Sequence, residues 1–449
     1  MRILILNGSP KGQNSITLQT VEYLKLKFPK HQWEMLHVGQ KIRAYEKDFA
    51  PAAAAIAQAE VLLFSYPVYT FIAPCQLHRF IELMKEHRVD AAGKYASQIT
   101  TSKHFYDVTA HRYVMENCQD MGLHFVRGLS ADMDDLTTAK GQQEAEGFFR
   151  YLMWSIENGC FEPNLPAQPE PAHVPVTPAE DRGGKEGDVV IVTDCRTEDQ
   201  QLSAMIERFR AVFAKKTRVV NIREYPFRGG CLGCFRCANT GKCVHKDNFD
   251  EFLRGDIQKA QAVVYAFTIS DHSMGAAFKR YDDRQFCNGH RTVTMGSPVG
   301  YIISGNYRHE GNLRMILEGR AEVGGNFFCG AATDEVNTDA AIDQLAATMA
   351  YALDQRHIQP ANFLGVGGMK IFRDLIYLMQ GLMRADHKFF KAHGQYDFPQ
   401  KNRGRLMAMY AVGWMMGSKT LQKKAGGMMN QGMLMPYQKV LDRVRKEQV

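Results

Sequence analysis

No stretch of this 449-residue chain stays apolar for the roughly 20 residues that a membrane-spanning helix needs, so no transmembrane segment is expected. The opening MRILILNGSPKG places one basic residue before an apolar run that already stops at Asn7, which reads as a first β-strand rather than a secretory signal. Ten cysteines without such a signal do not suggest a disulfide framework, and a reducing cytoplasm is the expected setting. His111, His124, His272, His290 and His309 show no metal-ligand spacing, which leaves them structural roles. No aromatic-studded basic sheet or recognition motif accompanies the positive charge, so a nucleic-acid partner is not expected.

What is present is ordinary in bulk: 45% hydrophobic and 23% charged residues, with length for two or three domains. The net charge of +7 is uneven. From Ala361 onward fifteen Lys or Arg face five Asp or Glu, a balance of +10 that leaves about −3 for residues 1–360. Eleven of the 23 methionines lie in the same tail.

Four cysteines crowd one short stretch, Cys231, Cys234, Cys237 and Cys243 in CLGCFRCANTGKC. Structural zinc sites usually separate two C-x2-C knuckles by a dozen or more residues. A compact C-x2-C-x2-C instead wraps the corners of an iron–sulfur cubane, although ferredoxins place the next cysteine three residues on and before proline. Here it follows five residues and precedes Val244. The spacing points to an iron–sulfur cluster, with a zinc site or a metal-free thiol loop as alternatives.

Along residues 1–160, buried strands are expected at 3–6, 33–38, 61–66, 96–101 and 123–129, with helices between them such as 15–26 and 74–85. Such β-α alternation predicts a doubly wound parallel sheet, which binds ligands beyond the carboxyl ends of its strands. Residues 161–187 carry six prolines and read as a stiff linker. The pattern restarts over 188–358, with strands at 188–194, 218–222, 262–267, 299–304 and 326–331 and helices at 200–214 and 338–355. The halves look like a degenerate duplication, followed by the basic tail at 359–449.

Directly after the first strand comes Asn7-Gly8-Ser9-Pro10-Lys11-Gly12-Gln13-Asn14-Ser15-Ile16-Thr17. Glycines allow close backbone approach to a phosphate, helix-start N–H groups point at it, and the hydroxyls add neutral donors. The stretch is neither a Walker loop nor a G-x-G-x-x-G fingerprint. A flavin mononucleotide phosphate suits it, a plain capped strand–turn–helix joint being the alternative.

Gly8-Ser9-Pro10 with Asn14, Ser15 and Thr17, then Tyr66-Pro67-Val68-Tyr69, resembles the flavodoxin-fold NAD(P)H-dependent FMN reductases. The cysteine run with Gly233, Gly241-Lys242-Cys243 and Asp247 is similar to their iron–sulfur flavoprotein branch. The resemblance covers residues 1–355 and implies two tandem flavodoxin-like α/β domains. It implies Gly8, Ser9, Asn14, Ser15 and Thr17 for the FMN phosphate and Pro67, Val68 and Tyr69 for the ring. It further implies that Thr101, Ser102 and Lys103 complete the pocket, that Cys231, Cys234, Cys237 and Cys243 hold a [4Fe–4S] cluster, and that NAD(P)H is a possible donor. Lys103 or His104 could face the flavin's pyrimidine edge; no residue is assigned as catalytic.

The second half keeps Lys279, Asp283 and Arg284 where the first has His78, Glu82 and Leu83. Its loop at Thr193-Asp194-Cys195-Arg196-Thr197-Glu198-Asp199 offers three carboxylates that would repel a phosphate. FMN is therefore expected in the first half only, and the halves are expected to pack as a pseudo-dimer with the cysteine loop beside Tyr69 and Ser102. Asp282, Asp283 and Arg284 read locally as a helix-end charge pair. Cys75, Cys118, Cys160, Cys287 and Cys329 read as small buried hydrophobes.

The expected activity is a cytoplasmic flavin oxidoreductase passing electrons from NAD(P)H or a protein donor to an unidentified acceptor. A redox carrier or sensor docking through its basic tail, and a flavin reductase with a structural zinc loop, are the alternatives. Within the tail, 406–416 is an apolar run flanked by Lys401, Arg403, Arg405, Lys419, Lys423 and Lys424. It is expected to pack as a helix, or to dock on a partner or membrane surface. A homo-oligomer is possible.

Overall fold

The computed structural model describes residues 1–166, 168–169, 173–181, 186–398, 402–416 and 446; Lys401, Lys419, Lys423 and Lys424 lie outside them. The first half runs β1 (Arg2–Asn7), α1 (Ile16–Lys27), β2 (Gln32–Leu36), α2 (Val38–Tyr45), α3 (Ala50–Gln58) and β3 (Val61–Pro67). It continues through α4 (Cys75–Glu86), β4 (Tyr95–Ser102), α5 (Asp107–Asp120), β5 (His124–Phe125), β6 (Leu129–Asp132) and α6 (Ala139–Glu157). Its strands lie in the order β2-β1-β3-β4-β5, with β6 also on β4, and every pairing is parallel.

The second half holds β7 (Val189–Thr193), α7 (Gln200–Val212), β8 (Thr217–Asn221), α8 (Arg236–Thr240), α9 (Phe249–Phe252), β9 (Ala262–Thr268) and α10 (Gly275–Arg284). Then follow β10 (Pro298–Ser304), α11 (Gly311–Gly324), β11 (Phe327–Thr333) and α12 (Thr338–Gln355). Read from the other edge, its order β8-β7-β9-β10-β11 repeats the first, the flavodoxin-like order 2-1-3-4-5. Two flavodoxin-like α/β halves are therefore present.

Sheets covered on both faces need strands that are apolar throughout. Accordingly β1, β3, β7 and β10 are buried along almost their whole length. The strand expected at 123–129 is interrupted instead. Gly128 presses against the Gln98 backbone so closely that a Cβ would lie 2.5 Å from the Gln98 carbonyl oxygen, and the chain resumes pairing only at Leu129.

Residues 1–390 form one compact unit. Ile316 and Val323 of α11 belong to the first half's own apolar core, so the two cores are continuous. After α12, α13 (Phe363–Leu378) packs on α11, its start held by Asn362 N–H donating to Glu322. α14 (Arg384–Ala392) contributes Asp386, fully buried against His290. Beyond it, α15 (Arg403–Met416) is the helix expected over 406–416. The described part of the linker is tied down on both halves: Leu165 N–H donates to Gln119 Oε1, Val174 N–H donates to Asp334 O, and Arg208 donates to Thr177 O.

Among the described residues no helix is long and apolar enough to cross a membrane.

Candidate functional site

The halves meet through matched turns that follow β3 and β9. Tyr69 and Ile72 exchange backbone hydrogen bonds around Thr70 (φ 45) and Phe71 (φ 74). Ser270 and Ser273 do the same around Asp271 (φ 48) and His272 (φ 60). Left-handed backbone at non-glycine residues costs about 1–3 kcal/mol each and persists only where the surroundings fix it. Here each turn is gripped by the other half. Thr70 Oγ1 donates to Asp282 (2.9 Å) and Asp283 (2.7 Å), while Lys279 Nζ donates to Tyr69 O (3.1 Å). Reciprocally, Tyr113 Oη and His78 Nδ1 meet Asp271 Oδ2 at 2.6 and 2.9 Å.

The helix starts are exchanged as well. Cys75 N–H, opening α4, donates to Asp283 (2.7 Å), and Ala276 N–H, in the first turn of α10, donates to Glu82 (2.6 Å). A carboxylate at a helix start satisfies an otherwise unpaired N–H and meets the positive end of the dipole. Asp282, Asp283 and Arg284 are thus no exposed helix-end pair: all three are buried, with Lys279, at the pseudo-twofold contact.

The phosphate loop is organised by Asn7, which is fully buried. Its Oδ1 accepts from Ser9 N–H (3.2 Å) and its Nδ2 donates to Gly12 O (3.1 Å). Gly12 sits at φ +57, in the left-handed region that favours glycine. Ser15, at the cap position of α1, makes no side-chain capping bond, so that bond is not made from within the helix. Thr17 Oγ1 reaches Thr101 Oγ1 at 2.6 Å, joining this loop to the end of β4.

These loops wall a cavity of about 370 Å³. Of the residues expected from the sequence, Ser9, Ser15, Thr17, Pro67, Val68, Tyr69, Thr101, Ser102 and Lys103 line it. Gly8 and Asn14 do not; Asn14 points to solvent, and Gly8 packs beneath the loop against Leu77. The Lys103 ammonium is held by Asp132 (2.6 Å) and Asp134 (3.0 Å). Burial opposes its charge, but these carboxylates outweigh it and raise its pKa. His104 stands off the wall and pairs with Asp107 (2.9 Å).

The far wall comes from the second half and from α13: Phe235, Tyr265, Tyr301, Arg320, Val323 and Phe372. No local motif marks these residues, because they meet the flavin-side loops only through the packing of the halves. Arg320 is held by Asp282 (2.6 Å) and by Thr70 O (2.9 Å).

All four clustered cysteines, together with Cys287, line a second, smaller pocket that shares Cys231, Gly233, Phe235 and Phe286 with the larger one. Gly233 (φ +60) lies so close to Tyr69 that a Cβ would fall 1.7 Å from its Oη, and Lys11 sits 5.4 Å over the Phe235 ring. The cysteine loop therefore rests directly on the ring loop and phosphate loop of the first half. Burial, reinforced by the Cys231 sulfur, pushes the Tyr69 phenol well up, so it stays protonated. Gly233 N–H and Arg284 Nη2 approach the Cys231 and Cys243 sulfurs at 3.4 and 3.8 Å. Arg284 is braced by Asp247 (2.7 and 2.8 Å); burial opposes that carboxylate, but Arg284 holds it down to about 2.

The corresponding loop of the second half carries a buried carboxylate instead. Asp194 follows β7 as Gly8 follows β1, and burial pushes its carboxyl up to about 6 despite Arg223 at 3.0 Å. Of the other cysteines, Cys75, Cys118 and Cys287 are buried, whereas Cys160, Cys195 and Cys329 are partly exposed.

Residues 1–131 match the family model of the NADPH-dependent FMN reductases. Solved structures similar to the chain include an apo NADH:FMN oxidoreductase, 20% identical over 34% of this chain and 89% of that one, with a TM-score of 0.31. An FMN-dependent NADH-azoreductase from Bacillus anthracis in complex with FMN is 14% identical over 33% of this chain and 98% of that one (TM-score 0.27). A third, an NADPH-quinone reductase from P. pentosaceus, is 14% identical over 34% and 97% (TM-score 0.27). No curated protein matches the chain significantly. The resemblance read from the two loops thus extends over residues 1–131 as a sequence family.

Proposed function

We propose that the chain is an FMN-dependent oxidoreductase that draws electrons from NAD(P)H or a low-potential carrier and uses a [4Fe–4S] cluster on the cysteine loop as its second redox centre. One observation carries this reading: a single cavity has the phosphate and ring loops on one side and Cys231, Gly233 and Phe235 on the other. Bound FMN would exchange electrons in pairs or singly and a bound cluster singly, which couples two-electron donors to one-electron traffic.

The residues present fit both groups. For FMN, Ser9, Ser15 and Thr17 supply neutral donors at the start of α1, and Pro67, Val68 and Tyr69 supply a wall for the ring. Tyr69 is fixed from behind by Lys279 and in front by Gly233, so the ring position is set by both halves. For the metal group, Cys231, Cys234, Cys237 and Cys243 all line one small pocket, as the ligands of a single cluster would. Donors from Gly233 and Arg284 supply the hydrogen bonds to sulfur that tune such clusters. The part of the cavity lined by Tyr265, Tyr301 and Phe372 lies beyond the flavin loops and is left for an acceptor.

Anaerobic purification followed by absorbance, iron, sulfide and zinc assays tests the reading. About four irons with matching sulfide per chain are expected, together with one FMN. Cys234→Ser should abolish the cluster absorbance and leave FMN bound. Stoichiometric zinc without sulfide would overturn the cluster, and absence of NAD(P)H turnover with flavin still reducible by a protein donor would overturn the enzyme in favour of a carrier.

A further inference from the structure

His272, which the sequence leaves among scattered structural histidines, is brought by the pseudo-twofold turn against carboxylates from both halves. Its Nδ1 lies 3.0 Å from Glu310, at the start of α11, and its Nε2 lies 2.9 Å from Asp120, at the end of α5. Glu116, one turn earlier on α5, completes a group in which one ligand atom each from Glu116, His272 and Glu310 lies within 4.8 Å of the others. Glu116 and Glu310 are 6% and 3% exposed, and one carboxylate oxygen of each, Oε2, is buried without any hydrogen-bond partner.

A buried carboxylate oxygen with no partner loses its hydration without replacement, a cost of about 1–3 kcal/mol or more for a charged group. Two such carboxylates with one ligand atom each within 4.8 Å of an imidazole nitrogen form a candidate donor set. Their other oxygens are engaged: Glu116 Oε1 accepts from Arg112 (2.7 Å), and Glu310 Oε1 pairs with His272 Nδ1 (3.0 Å) and accepts from Gln168 of the linker (2.9 Å). The same Gln168 amide lies 3.4 Å from His272 Nδ1. Asp120, itself paired with Lys85 at 2.6 Å, stands on the far nitrogen of His272, as outer carboxylates stand behind metal-bound imidazoles.

We propose that Glu116, His272 and Glu310 bind a divalent cation of the class that accepts mixed carboxylate and imidazole ligands, with Asp120 orienting His272 from behind. None of the three lines the flavin cavity, so the site is separate from the proposed redox centres and does not rest on that reading. With Glu116 on the first half and His272 and Glu310 on the second, the ion ties the halves together at the end of the interface opposite Thr70.

Mn²⁺ is the appropriate probe, because it favours oxygen and nitrogen donors and is not drawn to the cysteine loop. Titration of the full-length holoprotein followed by electron paramagnetic resonance should show one bound Mn²⁺ per chain. Glu310→Gln should weaken binding by at least about 100-fold and Asp120→Asn by about 10-fold, with flavin absorbance unchanged in both. Bound Mn²⁺ should also raise the thermal midpoint of the wild type and not of Glu116→Gln. The half-exposed Asp120 keeps the test open should Glu310→Gln fail to fold. No Mn²⁺ bound by the wild type, equal affinity in Asp120→Asn, or a His272 ring that remains an imidazolium in saturating Mn²⁺ would each overturn the site.

Discussion

The two halves share one strand order and exchange matched turns, yet differ in what stands at the carboxyl ends of their strands. After β1 the first half places Gly8 and Ser9; after β7 the second places Asp194, whose carboxylate is already engaged by Arg223. After β2 the first half has α2, whereas after β8 the second has the cysteine loop. The interface is retained by geometry, since Asp283 and Glu82 do the same work on opposite helix starts. The loops differ by residue identity. Two halves of one strand order can therefore carry different loops while the contact that unites them stays nearly symmetric, because that contact depends on backbone turns and helix starts.

The comparison breaks hardest at Asp283. Asp283→Ala leaves the fully buried Lys279 with Asp282 as its remaining carboxylate and should cost about 3–5 kcal/mol in chemical denaturation at neutral pH. A loss below about 1 kcal/mol would show that the halves do not depend on this contact. Next, Ser9→Asp gives the first half the kind of charge its counterpart carries. FMN affinity, read by flavin fluorescence on release, should fall at least about 100-fold through repulsion of the phosphate, with the cysteine loop unaffected.

The reverse change is read through pH. Burial raises the Asp194 pKa in the folded chain to about 6, above its unfolded value near 3.8, so the folded state holds the proton more tightly. That contribution is complete below the unfolded pKa and is lost as pH rises through about 6. Asp194→Asn should therefore flatten the stability slope between about pH 4 and 6 and stabilise the chain at pH 7 by about 1–3 kcal/mol. An unchanged slope would place the titration elsewhere. The smallest effect is expected from Glu82→Gln, the counterpart of Asp283. It faces no buried lysine and retains an acceptor for Ala276 N–H, so about 1 kcal/mol should be lost.

Much of the fold was legible locally. The apolar runs at 3–6 and 61–66 became β1 and β3, and the helix expected at 338–355 is α12. The interruption after β5 was not, because it depends on Gly128 lying against Gln98, 30 residues away in sequence. That the loops at 9–17 and 67–69 come together was readable from their places at the ends of β1 and β3, and both line the cavity. Asn7 could have been found from its place at the strand end, where a side-chain amide can organise the loop that follows. The Phe235, Tyr265, Tyr301 and Phe372 wall had no such signal, nor did the meeting of Glu116 with His272 and Glu310.

Local sequence alone set two parallel α/β halves, a glycine- and hydroxyl-rich loop after β1 and a four-cysteine loop after β8, because periodicity and loop composition act over a few residues at a time. The tertiary structure decided that these loops share one cavity, that Thr70 and Asp271 are held across an interface, and that His272 meets buried carboxylates. Those outcomes depend on how α4 packs against α10, and packing between halves brings together residues that chain distance separates by 150 positions or more.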